Sequence, residues 1–382
     1  MELKSKKHLF RLSENVTYLN GSYMSPLLKS VEQIGRDSIA IKLNPQNLTE
    51  SDFFTGQIIL KKRFAQLIVA EDYQNIAIIP SASYGISIAA NNISFQKGDE
   101  VLVLNEQFPS NIYAWKRREQ ETGCIVKTIE APGIGPNRAK KWNELLLNAI
   151  NPKTKVVAIP QLHWADGTYF DLKTIREKTN LVDAYLIIDG TQSIGAFPFS
   201  VKELQPDAVI CAGYKWLMGP YSSGAAYFSD RFNEGKPIEE SWMNHEGREN
   251  FSELVNYNYN YTEKAGRYDV GQSSNFILTP MLSEGIKQVL ELTPQYIQTY
   301  CKFISEKAIQ ELRSLGCFIE DESFRGHHLF GVYLPQHLEI SEIKNKLSKS
   351  NVFVSYRGNA IRISPNIYNT EDDLLKLVAC FR

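Results

Sequence analysis

Short apolar runs recur along the first two thirds of the chain, each closed by a turn signal and followed by residues at helical spacing. The runs at residues 75–80, 100–105, 155–160, 184–188 and 208–212 end in Pro80, Asn105, Pro160, Asp189-Gly190 and Gly213. Runs without polar alternation predict strands buried on both faces, as parallel sheets require. Between them, Ile86, Ile88, Ala89 and Ala90 predict a helix after the Ser81-Ala82-Ser83-Tyr84-Gly85 turn. Upstream, Phe64, Leu67 and Ile68 at i, i+3, i+4 predict that residues 27–70 are mainly helical. Strands alternating with helices from about residue 75 to 230 predict an α/β unit with a mainly parallel sheet covered on both sides.

The pattern changes after Met281. Leu282, Ile286, Val289 and Leu290 mark one helical face, and runs at 329–334, 352–356 and 360–363 predict strands. Ile340, Ile343 and Leu347 predict a helix between them, and Thr370 with Asp373 an N-cap for a last one. A polar and aromatic stretch without period, residues 239–261, predicts a long loop of the kind that carries function. The chain thus divides into an arm (1–26), a large domain (27–280) and a small α+β domain (281–382).

Composition narrows the classes. The 382 residues carry 42 basic and 43 acidic side chains, a net charge of −1, with no basic stripe to track a nucleic-acid backbone. Nucleic acid is therefore not an expected partner. Neither a leader-like apolar segment after residues 1–11 nor a run near the ~20 apolar residues of a membrane span is present. The five cysteines are scattered, without a C-x-x-C pair, which favours a reducing, cytoplasmic setting. None of the six histidines has metal-site spacing; His327 and His328, read as strand residues, point to opposite faces.

Two strand ends carry the chemistry. Residues 184–188 deliver Asp189, with Gln192 three residues on, and residues 208–212 deliver Tyr214 and Lys215. In a parallel sheet both ends open on the crevice where ligands bind. A buried acid and a buried lysine facing one crevice suit pyridoxal phosphate, which needs an amine for a Schiff base and an acid opposite its pyridine nitrogen. A buried ion pair, or a lysine reaching out to a surface carboxylate, would use the same residues.

The segments Asp189-Gly190-Thr191-Gln192 and Gly213-Tyr214-Lys215 resemble the cofactor motifs of the class V aminotransferase family, a branch of the fold-type I pyridoxal-phosphate enzymes. That branch includes cysteine desulfurases, selenocysteine lyases, kynureninases and isopenicillin-N epimerase-like proteins. The resemblance implies a large domain with a mainly parallel seven-stranded sheet between helices, a small C-terminal domain, and a homodimer with its active site at the subunit interface. It implies that Ala82 and Ser83 hold the cofactor phosphate at a helix N-terminus, where serine capping alone would also explain the local sequence. Phe108 is implied to stack on the ring where desulfurases carry histidine, and Tyr214 is similar to the kynureninase variant. Gln192 is implied to bond the cofactor O3′, as is a polar group of the 164–168 turn, here Asp166 with His163 as a second candidate. Gln272 and Ser273 are implied to reach the neighbouring subunit's phosphate, Asn20 to line the substrate mouth, and Arg362 to bind the substrate α-carboxylate.

Between Tyr356 and Arg362, where desulfurases place their nucleophilic cysteine, this chain has Arg357-Gly358-Asn359-Ala360-Ile361, so persulfide transfer is not expected. The expected function is that of an enzyme acting on a small amino acid, with Lys215 as Schiff-base lysine and Cα base and Asp189 as the carboxylate ionised against the pyridinium nitrogen. A selenocysteine lyase-type β-lyase or an aminotransferase is the first reading. An amino-acid epimerase, or a catalytically silent binding protein of the same fold, is the alternative. A nicotinamide dehydrogenase is set aside because no G-x-G-x-x-G follows a strand.

Overall fold

The computed structural model describes residues 3–382. In chain order, β1 (Thr17–Tyr18) precedes α1 (Lys29–Ile41) and α2 (Asp52–Leu67). Then come β2 (Ile76–Ile79), α3 (Ala82–Asn92), β3 (Glu100–Leu104), α4 (Tyr113–Thr122), β4 (Ile125–Ile129), α5 (Arg138–Ala149), β5 (Thr154–Pro160) and α6 (Leu172–Leu181). β6 (Tyr185–Asp189), α7 (Val201–Leu204), β7 (Ala208–Ala212) and β8 (Gly224–Phe228) complete a seven-stranded sheet of order β2-β8-β7-β6-β5-β3-β4. β8 alone runs against the other six.

The unbroken apolar runs have a direct cause in the packing. Alternate residues of each strand enter two hydrophobic cores, one on each face. Ile78, Leu102, Leu104, Val157, Ile159, Leu186, Ile188 and Val209 join one core. Ala77, Ile79, Val101, Val103, Val156, Ala158, Ile187 and Ile210 join the other, beneath α3 and Trp115 of α4. The first core continues through α8 (Leu278–Leu292) and α9 (Pro294–Ser314) into the C-terminal strands.

Those strands are β9 (Phe330–Tyr333), β10 (Val352–Phe353), β11 (Ser355–Arg357) and β12 (Ala360–Ile363), with α10 (Ile340–Lys349) between the first two and α11 (Glu371–Ala379) after the last. β11-β12-β9 form an antiparallel sheet. The run 352–356 therefore splits between two sheets: β10 pairs in parallel with β1 of the arm, and β11 turns back on β12. Thr370 and Asp373 form a reciprocal capping box on α11. His327 and His328 sit in a bend before β9, so strand alternation does not apply to them.

The 164–168 turn is clamped onto β9. Gly331 N–H donates to Asp166 O at 2.8 Å. Gly167 has φ +75°, and a Cβ there would lie 2.1 Å from the Leu329 carbonyl oxygen, so both conformation and space demand glycine.

Candidate active site

Five parallel-running strands end on one cavity of about 200 Å³. Pro80 to Ser83 follow β2, Gln107 and Phe108 follow β3, and Leu162 and Trp164 follow β5. Asp189, Thr191 and Gln192 come from the end of β6, and Tyr214 and Lys215 from just past β7. Apolar burial of the strands fixes the backbone, so only the residues at their carboxyl ends are free to differ in chemistry.

Lys215 is buried at 6% exposure, and its Nζ has no hydrogen-bond or ion-pair partner among the described residues. Its Nζ lies 5.4 Å from the ring centres of both Phe108 and Tyr214. Burial lowers its pKa to about 8, against the attraction of Asp189 and with help from Arg362. Asp189 is equally enclosed; burial raises its carboxyl above the usual range, while Thr191 and Lys215 pull it down. Its Oδ1 accepts from Thr191 N–H at 3.0 Å, and Thr191 Oγ1 accepts from Ala212 N–H at 3.2 Å, which ties the two strand ends together.

At α3, Ser81 Oγ caps the Tyr84 N–H at 3.2 Å and lies 2.9 Å from Ser83 Oγ. The first-turn N–H groups of Ala82 and Ser83 have no intrahelical acceptor, and both residues line the cavity. Gly85 lets α3 approach β7, since a Cβ there would sit 2.9 Å from Ile210. Across the cavity, Phe108 meets Trp164 edge-on at 5.3 Å, and Tyr214 packs on Tyr221 at 4.7 Å.

Gln192 lines the cavity, but its amide is largely committed: Nε2 donates to Ser22 O at 3.1 Å and Oε1 accepts from Trp216 Nε1 at 3.0 Å. One N–H remains for a ligand oxygen. Behind it, His328 reaches Gln192 O at 2.8 Å and Gln298 at 2.6 Å, and burial keeps the imidazole neutral by lowering its pKa to about 4.

Arg362, on β12, is 1% exposed. Its Nη1 donates to Trp164 O at 2.8 Å, while Nε and Nη2 are buried without a partner. Burial, then Arg357, lowers its pKa to about 9. No carboxylate among the described residues pairs with it, so a buried cation is left for a ligand to neutralise.

Arg362 does not itself line the cavity but lies behind Trp164, and the remaining expected residues lie elsewhere as well. Asp166 is not on the cavity wall: it accepts from Arg138 Nη1 at 2.7 Å and from Tyr333 Oη and Thr168 N–H, with His163 Nδ1 at 3.4 Å. Burial raises its pKa, but His163 and Arg138 outweigh that and hold it well below the carboxylate range. Its work is to anchor the turn against β9. His163 is held beside it, with its ring 5.1 Å from Trp142 and Nε2 3.1 Å from Asn105 O, while its buried Nδ1 makes only the 3.4 Å approach to Asp166. Asn20 accepts from Ser355 Oγ at 2.7 Å, joining the arm to β11. Ser273 Oγ donates to Gln57 and Gln272 is exposed with φ +60°, both outside the chain's own cavity.

Sequence reasoning missed Trp164 and Tyr221 as cavity walls and Arg138 as the partner of Asp166. An aromatic beside a turn was the only signal for the first two. The third had none, because its partner lies 28 residues away.

The residues fit pyridoxal phosphate: a helix N-terminus for the phosphate, an unpartnered lysine, a buried acid and flanking aromatic rings share one cavity. The aminotransferase class-V family model matches residues 54–377. An uncharacterized aminotransferase of Bacillus subtilis, YcbU, is 25% identical over 82% of this chain and 80% of its own length. A kynureninase of Bacillus cereus is 23% identical over 99% of this chain and 90% of its own length. Among solved structures, the Escherichia coli cysteine desulfurase CsdA superposes with a TM-score of 0.81 at 17% identity, covering 98% of this chain and 96% of that one. A C-DES mutant with glycine covalently linked to its PLP cofactor gives 0.85 at 18% identity, covering 98% of each chain. These likenesses show the fold, that of the fold-type I enzymes.

Proposed function

We propose, from a chain that belongs to the aminotransferase class-V family, a pyridoxal-phosphate-dependent lyase or transferase acting on a small amino acid through loss of its Cα proton. The observation that carries this reading is the unpartnered Lys215 beside Asp189 at the ends of adjacent strands, with Arg362 buried and unneutralised nearby. When bound, pyridoxal phosphate supplies an aldehyde for covalent attachment and a ring that withdraws electrons from Cα. Lys215 holds it and, being neutral in part near pH 7, accepts and returns the Cα proton. Asp189 faces the ring nitrogen as a carboxylate, with the Thr191 N–H and the nearby ammonium opposing the effect of burial. The α3 N-terminus takes the phosphate through Ala82 and Ser83, Phe108 and Tyr214 fix the ring plane, and Arg362 takes the α-carboxylate.

Sulfur transfer to a protein thiol is not part of this proposal. All five cysteines are buried, and Cys211, beside the site, has its thiol pushed well up by burial and by Asp189, so no thiolate is poised to accept sulfur. We place the protein in a homodimer, in which Gln272 and Ser273 serve the partner's site. Beside them lies a cleft of about 510 Å³ lined by Ile41, Leu48, Phe53 and Ile59, with Phe276 and Pro280 across it. No helix among the described residues is long and apolar enough to cross a membrane.

The test is absorbance of the purified protein with pyridoxal phosphate, for wild type and Lys215→Ala. A band of lysine-bound cofactor in the wild type, absent in the variant and shifted by one class of amino acid, is the expected result. No band in the wild type refutes the reading.

A further inference from the structure

Arg362 is not alone. On the β11–β12 hairpin Ser355 stands opposite Arg362, and Arg357 opposite Ala360. Residues directly opposite share a face, as do residues two apart, so Arg357 and Arg362 are diagonal neighbours on one face of the hairpin. Both guanidinium groups lie over the ring of Trp164, at 5.2 Å and 5.8 Å from its centre, and Trp164 is a wall of the cavity.

Each has only a backbone carbonyl to itself. Arg357 Nη1 donates to Tyr356 O at 2.7 Å, and Arg362 Nη1 to Trp164 O at 2.8 Å. Arg357 Nε, Arg362 Nε and Arg362 Nη2 are buried without a partner. Neither cation forms an ion pair with any Asp or Glu among the described residues. Glu106, the carboxylate at the hairpin tip, lies 3.7 Å from where a Cβ on Gly358 would be. Two cations on one face, partly stripped of water, repel each other, and Arg357 contributes to lowering the Arg362 pKa. An arrangement of this kind is relieved by anions from outside, and one α-carboxylate neutralises only one of the two.

We infer that the substrate is an amino acid with a second anionic group on its side chain, its α-carboxylate on Arg362 and the side-chain carboxylate on Arg357. This rests on the cofactor reading above for the amino-acid class, though not for the pair of anion sites. Trp164 lies between the pair and the cavity, with both guanidinium groups within 6 Å of its ring centre. The site then discriminates by charge: a neutral side chain leaves the half-buried Arg357 unpaired, whereas an acidic one gives it a partner.

The test titrates the cofactor-loaded protein with L-aspartate, L-glutamate, L-asparagine and L-alanine while following the cofactor band. In parallel, the melting temperature of the cofactor-free protein is measured with succinate, glutarate or butyrate. The expected result is half-saturation by aspartate or glutamate at roughly tenfold lower concentration than by the neutral amino acids, and a larger stabilisation by a dicarboxylate than by butyrate. In Arg357→Gln both preferences collapse, and in Arg357→Lys the spectral one is partly restored. Equal response to acidic and neutral amino acids, or a preference that survives Arg357→Gln, overturns the inference. If the loaded wild type shows no cofactor band, the cofactor reading fails, and the dicarboxylate measurement still decides on the paired arginines.

Discussion

Replacing Lys215 by methionine should make the cofactor-free protein more stable, a result opposite to that for most buried substitutions. Burial has moved the lysine from its ordinary 10.5 to about 8, and at 1.36 kcal/mol per pH unit the native state is destabilised by about 3 kcal/mol while the ammonium persists. That figure is already net of the attraction between Lys215 and Asp189, so the expected gain with methionine is about 3 kcal/mol. The sign follows from linkage: a base whose folded pKa is depressed carries its full penalty below pH 8 and loses it as pH rises from 8 toward 10.5. For a chain of 382 residues, with ~2.1 cal/mol/K of unfolding entropy per residue, the gain at pH 7 is roughly 4 °C in melting temperature. Differential scanning fluorimetry of both proteins at matched scan rate, from pH 6.5 to 9.5, reads it directly. A variant less stable than wild type at pH 7, or a gain that does not shrink by pH 9.5, would show that Lys215 is not a desolvated cation.

Capture of pyridoxal phosphate by the cofactor-free protein should accelerate about tenfold per pH unit up to pH ~8 and level off above it, because only the neutral amine attacks; stopped-flow absorbance checks this, and a pH-independent rate refutes it. Asp269→Ala strands the buried Lys61 ammonium, 2.7 Å from Asp269, and frees the Ile78 N–H that Asp269 accepts at 2.8 Å. The expected loss is about 3–5 kcal/mol, seen as a lower urea midpoint, and a change under 1 kcal/mol would contradict the burial argument. Gly167→Ala meets both a positive φ and a backbone oxygen, so soluble expression should fall sharply. Gly98→Ala, with φ +92° but open space, should cost only about 1–2 kcal/mol; similar behaviour of the two would remove the steric part of the explanation.

Five strands of the large sheet were legible because they are buried on both faces, which turns each into an unbroken apolar run; the edge strand β4, with Ile125, Lys127 and Thr128 exposed, and the small-residue strand β8 gave no such run. Asp189 and Lys215 were legible for the same reason, as each is the first charged residue after such a run. The stretch 352–356 misled because nothing local marks the change of partner at Val354, and pairing with residues more than three hundred positions away decides it. Helix α9, with Ile297, Tyr300, Cys301, Ile304 and Ala308 on its buried face, had the right period, but polar neighbours such as the buried Gln298 obscured it. Asp166 sits in a strong turn signal that says nothing of Arg138, and only the tertiary contact shows that its charge is already engaged.

The arm and the last strand meet at the lip of the cavity: Leu19 O accepts from Ser364 N–H at 2.9 Å, and Ser22 Oγ donates to Ser364 Oγ across 342 residues of chain. These bonds close a loop of chain that contains Asp189, Lys215, Arg357 and Arg362, so the whole candidate site is enclosed by one contact between segments far apart in sequence.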